Sequence, residues 1–149
     1  MANPDRPRGL DAIRKLDGGA VPTEWFLVAA GNGTNLAVGD PVEVAAAGSV
    51  QKIATSGTNP TRVIGVITAI SDTADIPAGH PNSAISTKYL PLSTAGKVKV
   101  ALALPDVVFS IQSESDQTLS ASHVFNCSDI LLTAPDTTTA RSKAELDTS

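Results

Sequence analysis

Between residues 97 and 104 apolar and polar positions alternate without a break. Val98, Val100, Leu102 and Leu104 fall on one face, and Lys97, Lys99, Ala101 and Ala103 on the other. A period of two is that of a β-strand with one face packed and the other turned to solvent or a neighbour. Pro105-Asp106 marks a turn, and Val107, Phe109 and Ile111 continue the inward set, so the two runs are predicted to pair as a hairpin. Residues 25–30 form an apolar run that ends at Gly31-Asn32-Gly33, a strong turn signal. Gly39-Asp40-Pro41 turns the chain into the alternating Val42-Glu43-Val44, and Gly48-Ser49 turns it again into residues 50–55. Residues 62–70 carry Val63, Ile64, Val66 and Ile67, apolar on both faces, which predicts a central strand covered on both sides. Gly65 within it marks a bulge or a close backbone approach. Residues 129–133 give a last short strand.

The two ends read differently. Pro4 and Pro7, with Arg6 and Arg8, hold the start of the chain extended. Residues 9–16 could form a turn or two of helix with Leu10, Ile13 and Leu16 on one face, before Gly18-Gly19 and Pro22 break it. Residues 71–86 make a long connection around Pro77, Gly79 and Pro81, and residues 113–121 are polar, with Asp116 placed to cap a short helix reaching His123. Residues 134–149 are Thr-rich, acidic and without periodicity. The first 15 residues carry four cations (Arg6, Arg8, Arg14, Lys15) against Asp5 and Asp11, whereas residues 106–149 carry seven acids against Arg141 and Lys143. Both ends read as solvated termini, or else the first as an arm along an acidic partner. The expected organisation is an extended N-terminal arm at 1–24, a β-rich body at 25–133 and a C-terminal segment at 134–149. The fold class is all-β: a small sandwich or barrel of about seven short strands, with at most one or two short helices.

Composition narrows the chemistry. The chain has 149 residues, a net charge of −4, one cysteine and only 3% aromatic residues, so its core rests on Val, Ile, Leu and Ala. No apolar stretch approaches the ~20 residues that cross a bilayer, and the polar opening is not a secretory signal, so the chain reads as soluble and intracellular. The negative charge and scarce aromatics argue against nucleic acid. His80 reads as a solvated loop side chain. His123 and Cys127 would be the base and thiol of a small hydrolase, or else Cys127 is a core cysteine in a helix-to-strand connection. Two histidines and one cysteine do not make a usual zinc site; Asp72 and Asp75 alone are a weak calcium signal. Gly31-Asn32-Gly33-Thr34 lacks the Lys and following helix of a phosphate loop. Asn32-Gly33-Thr34 and Asn126-Cys127-Ser128 match the glycosylation triplet, which carries little weight without a secretory signal. No catalytic residue, metal site or cofactor is expected.

The opening Met1-Ala2-Asn3-Pro4-Asp5-Arg6-Pro7-Arg8-Gly9 is followed in order by Val38-Gly39-Asp40-Pro41-Val42-Glu43-Val44, Val63-Ile64-Gly65-Val66 and Tyr89-Leu90-Pro91. Then come Pro105-Asp106-Val107-Val108-Phe109-Ser110-Ile111-Gln112 and the stretch from Thr137 to Asp147. Together they resemble the small capsid decoration (cement) proteins of tailed bacteriophages, including those of cyanophages. The resemblance runs from end to end, although related chains continue past Glu145-Leu146-Asp147 into another apolar segment. It implies a virion structural protein, made in the host bacterial cytoplasm, that binds the outer surface of the major capsid lattice and reinforces the head. It also implies sister copies, a homotrimer or other homo-oligomer, at a local symmetry axis. The partner-binding candidates are Arg6, Arg8 and Arg14 for capsid carboxylates, Leu10, Ile13 and Leu16 for a groove, and Trp25-Phe26 as an aromatic anchor or simple core. The alternative is a β-sandwich ligand- or carbohydrate-binding module displayed on the virion.

Overall fold

The computed structural model describes residues 7–53, 63–71, 85–86, 89–114, 119–124 and 126–147. Arg6, the loop histidine His80, Asp72, Asp75 and the expected cap Asp116 lie outside the described residues. Valine- and isoleucine-rich runs pack best on a pleated, half-buried surface, and they supply the longer of the ten short strands among the described residues: β1 (Asp11–Lys15), β2 (Thr23–Val28), β3 (Pro41–Val44), β4 (Val50–Lys52), β5 (Val63–Ser71), β6 (Ile85–Ser86), β7 (Gly96–Leu102), β8 (Val107–Ser110), β9 (Asp129–Leu131) and β10 (Glu145–Asp147). Two single 3-10 turns, Ala46–Gly48 and Ala121–His123, are the helical elements among the described residues. The protein is an all-β fold built from several antiparallel sheets.

The main sheet runs β2-β7-β5-β3-β4, with β6 also on β5. It curls so far that its outer strands, β2 and β4, come within 8 Å of each other between Cα atoms, as in a partly open barrel. The concave side is filled by Val28, Val42, Val50, Ile67, Ile70, Val98 and Val100, joined by Leu36 and Leu90 from a two-way backbone bridge. Among the described residues no aromatic ring is fully buried in this core; Phe26 packs on its margin. Two further antiparallel ribbons, β1-β8 and β10-β9, lie outside this sheet. The chain beyond β8 joins them: Leu146 donates its N–H to Gln112 and accepts one from Glu114.

β5 is central, as its doubly apolar sequence requires, lying between β3 and β7. At Gly65 the backbone of β7 comes so close that a Cβ would fall on the carbonyl of Ala101 and the side chain of Val100. The predicted hairpin between residues 97–104 and 107–112 does not form. The chain does turn after Leu104, with Val107 N–H donating to its carbonyl. Yet both edges of β7 are occupied, by β2 and β5, so β8 pairs with β1 instead. Nor do residues 9–16 form a helix. Their backbone groups serve the ladder with β8, with Leu16 N–H donating to Asp106. The C-terminal segment is not featureless either. Ala140, Ser142 and Ala144 are buried at a period of two while Arg141 and Lys143 face out, and β10 follows.

Substituting Gly65 by Ala overpacks the β5–β7 contact. We expect a loss of about 1–3 kcal/mol, read as a lower denaturant midpoint with an unchanged slope.

Candidate functional site

Strand β1 departs from simple alternation because its register against β8 slips between Ala12 and Arg14, leaving Ile13 as the extra residue of a β-bulge. A bulge turns two successive side chains to one side. Leu10, Ala12 and Lys15 are half-buried, while Asp11, Ile13, Arg14 and Leu16 point outward. Ile13 is 58% and Leu16 67% exposed, among the most exposed large aliphatic side chains of the molecule. Leu16 is bonded to the turn after β7, where Leu104 is also exposed. The bond from Ala103 N–H to the Ile64 carbonyl extends the β5–β7 ladder to the end of the sheet where Val63 and Leu104 are exposed. Ile13 and Leu16 thus make a short exposed apolar strip at the end of β1.

The strip has a basic flank. Arg8 and Arg14 are exposed, and among the described residues neither forms an ion pair. Lys15 is differently employed: its Nζ lies 2.9 Å from Asp17 and 3.0 Å from Asp106, clamping the end of β1 to the β7–β8 turn. Hydrogen bonds to Asp17 and then Asp106 hold the Lys15 amine above its ordinary pKa; the bond from Lys15, then one from Gly19 N–H, holds Asp17 below the usual carboxylate range.

Of the residues singled out from the sequence, Ile13, Arg14 and Leu16 are exposed at the end of β1, and Arg8 is exposed ahead of it. Leu10 turns inward, its N–H donating to Gly39. Trp25 and Phe26 alternate on β2 and are both half-buried, Phe26 against the core. His123 accepts a hydrogen bond at Nδ1 from the Ser120 N–H, 3.0 Å away, and lies 3.1 Å from Ser120 Oγ, so its ring closes the 3-10 turn. Cys127 is exposed. Among the described residues no cluster of three metal-ligating side chains occurs, and no helix is long and apolar enough to cross a membrane. Asn32 is buried, which leaves no room for a glycan on it.

The surface depends on a buried ionic knot that sequence reading missed. Asp40 is wholly inaccessible; its Oδ1 receives Lys52 Nζ at 2.8 Å and Ser142 Oγ at 2.6 Å, and its Oδ2 receives the Ala37 N–H at 2.8 Å. Lys52 also donates to the Thr133 carbonyl at 2.8 Å. Beside the knot, Gly39 (φ +95°) and Gly9 (φ +75°) cross so closely that a Cβ on either would strike the other strand or Ser142. The only signal of this in the sequence is a glycine at each crossing point. A shallow cleft of about 490 Å³ adjoins Lys52, with Thr34, Asn35, Gln51, Ile53 and Thr133 in its wall. No family model, curated protein or solved structure matches the chain.

Two predictions follow from this geometry. Lys52→Met strands the Asp40 carboxylate without a counter-charge and is expected to cost about 3–5 kcal/mol. Ser142→Ala removes the hydrogen bond to the Asp40 carboxylate and the acceptor of the buried Ala144 N–H, and is expected to cost at least about 1.5–3 kcal/mol, both substitutions read by denaturant unfolding. The exposed clamp sets a pH dependence. Lys15's contribution is full below the ordinary lysine pKa and is lost as pH rises through its raised value. Asp17's contribution is present above the ordinary aspartate pKa and is lost as pH falls through its lowered value. By NMR titration, Asp17→Asn should lower the Lys15 pKa without abolishing its elevation, because Asp106 remains.

Proposed function

We propose that the protein is a non-enzymatic virion component that docks on the outside of a phage capsid lattice and reinforces it. The observation that carries this reading is the exposed pair Ile13 and Leu16 at the end of β1, with Arg14 between them along the chain and Arg8 ahead of the strand, neither arginine in an ion pair among the described residues. Exposed aliphatic groups flanked by charge are the composition of a protein-docking surface. The sequence resemblance to phage decoration proteins supports the same partner, the major capsid protein, with carboxylates opposite the arginines.

Docking through β1 has an energetic advantage over docking through a loose arm. Ordering a free segment costs about 1–2 kcal/mol per residue. Here residues 10–16 are held on the body by backbone bonds to Gly39, β8 and Asp106 before any partner arrives. Sister copies gathered on one capsomer would add avidity, since each bound copy raises the effective concentration of the next.

Co-sedimentation with capsids lacking the protein tests this. Intact protein should bind saturably at a fixed copy number. Leu16→Asp and Arg14→Glu, both exposed and distant from the core, should keep native circular dichroism. Leu16→Asp should weaken binding by about 2 kcal/mol or more if Leu16 is a hot spot, and Arg14→Glu should mainly slow association and alter its salt dependence. Equal binding by both variants overturns the assignment of this face. Deleting residues 1–16 is a poorer test, because it would strip β8 of its strand partner.

A further inference from the structure

We propose that Asn32 is a site of spontaneous covalent change, losing its side-chain amide to attack by the main-chain nitrogen of Gly33. The two residues sit in the turn that follows β2, at the opposite end of the main sheet from Leu104 and Val63. Asn32 is 6% exposed, yet neither its Oδ1 nor its Nδ2 has a hydrogen-bond partner. A buried amide with both ends unsatisfied is a rarity that calls for an explanation. The other described asparagines are held: Asn35 Oδ1 accepts from Leu92 N–H at 2.8 Å, and Asn126 Nδ2 donates to the Ser122 carbonyl at 2.7 Å. Asn32 alone of the three is followed by glycine.

The surrounding bonds suit the reaction. The Asn32 N–H donates to Ala29 and its carbonyl accepts from Ser93 N–H, so the backbone before and after its Cα is fixed. Gly33 is exposed, its N–H donates to no group among the described residues, and nothing lies within 4 Å of where a Cβ would stand. The nucleophile is therefore exposed and unhindered, and no hydrogen bond holds the neighbouring Asn32 side-chain amide. Such intramolecular placement supplies much of the barrier reduction in a cyclisation.

In the first step the Gly33 nitrogen bonds to Asn32 Cγ, and the Cγ–Nδ2 bond breaks. Ammonia leaves, carrying with it the proton that the Gly33 nitrogen gives up through solvent, and a five-membered imide remains. Water then adds to one of the two imide carbonyls and reopens the ring as aspartate or isoaspartate. The sum is amide plus water to carboxylate plus ammonium, with no change of oxidation state. The product places a carboxylate at a position that is nearly closed to water, next to the turn leading to the buried Leu36–Leu90 bridge. Burying a charge without a partner is unfavourable, so the turn must open to solvate it, and the isoaspartyl form also lengthens the main chain there.

The test is peptide mapping by mass spectrometry of the full-length folded protein after warm, mildly alkaline incubation, with isoelectric focusing alongside. Aspartyl and isoaspartyl forms should accumulate at position 32 well ahead of 35 and 126, and an isoform with one more negative charge should appear. Gly33→Ala should lose most of the conversion at 32. Asn32→Gln, whose cyclisation needs a larger ring, should lose the acidic isoform even if Gly33→Ala folds poorly. An intact Asn32 in the folded protein, under conditions that convert a synthetic peptide spanning residues 29–36, overturns the proposal.

Discussion

Four distant segments of this fold are brought together at one carboxylate. Asp40 is sealed from water, and an ionised group can stay there only if its charge is matched and its lone pairs are filled. Lys52 from β4, Ser142 from the C-terminal segment and the Ala37 amide do this together. Each donor comes from a different part of the chain, so satisfying the charge fixes their relative positions. The backbone of the same short stretch does a second job. Gly39 donates to Ile67 and accepts from Leu10, Ile67 donates to Asp40, and Ser142 donates to Val38. The N-terminal segment, β4, β5 and the C-terminal segment are thereby registered against one point. A hydrophobic replacement could supply as much stability; what the ion pair adds is a single permitted arrangement.

That constraint explains which parts of the sequence could be read and which could not. Strands β3 and β7 were legible from alternation, and β2 and β5 from short apolar runs bounded by turn residues. Gly65 was legible as a close approach because a glycine in an apolar strand has few other uses. The partner of β8 was not legible. Adjacency and an intervening Pro105-Asp106 turn favoured β7, and nothing local records that both edges of β7 are already taken. The inward set Ala140, Ser142 and Ala144 was invisible for another reason. Small side chains carry little hydrophobic signal, and Ser142 is buried for its hydroxyl, which has meaning only once Asp40 lies opposite.

The β1 face was half legible. Its residues were picked out, but on a helical template that set Leu10, Ile13 and Leu16 together. A strand with a bulge yields a different grouping: Leu10 goes inward, and Arg14 joins Ile13 and Leu16 outside. The bulge is what allows two apolar residues and an arginine to face out while Ala12 and Lys15 stay in. Without the bulge, regular alternation running through Ile13 would have carried Leu16 to the same side as Leu10 and Ala12.

The knot and the exposed face are therefore parts of one argument. A docking strand is useful only if it keeps one conformation, and a two-stranded ribbon such as β1-β8 is marginal by itself. β1 is pinned at its start, where Gly9 crosses Gly39 beside Asp40, and at its end, where Lys15 grips Asp17 and Asp106. The first pin is buried and resistant to salt; the second is exposed and weakens as salt rises. Loosening should therefore begin at Leu16 and travel back towards Leu10, so that high ionic strength would soften the apolar end of the face before the arginine nearest the knot. A partner engaging both ends would restore the weaker pin by covering it, which couples docking to rigidity without any change of fold.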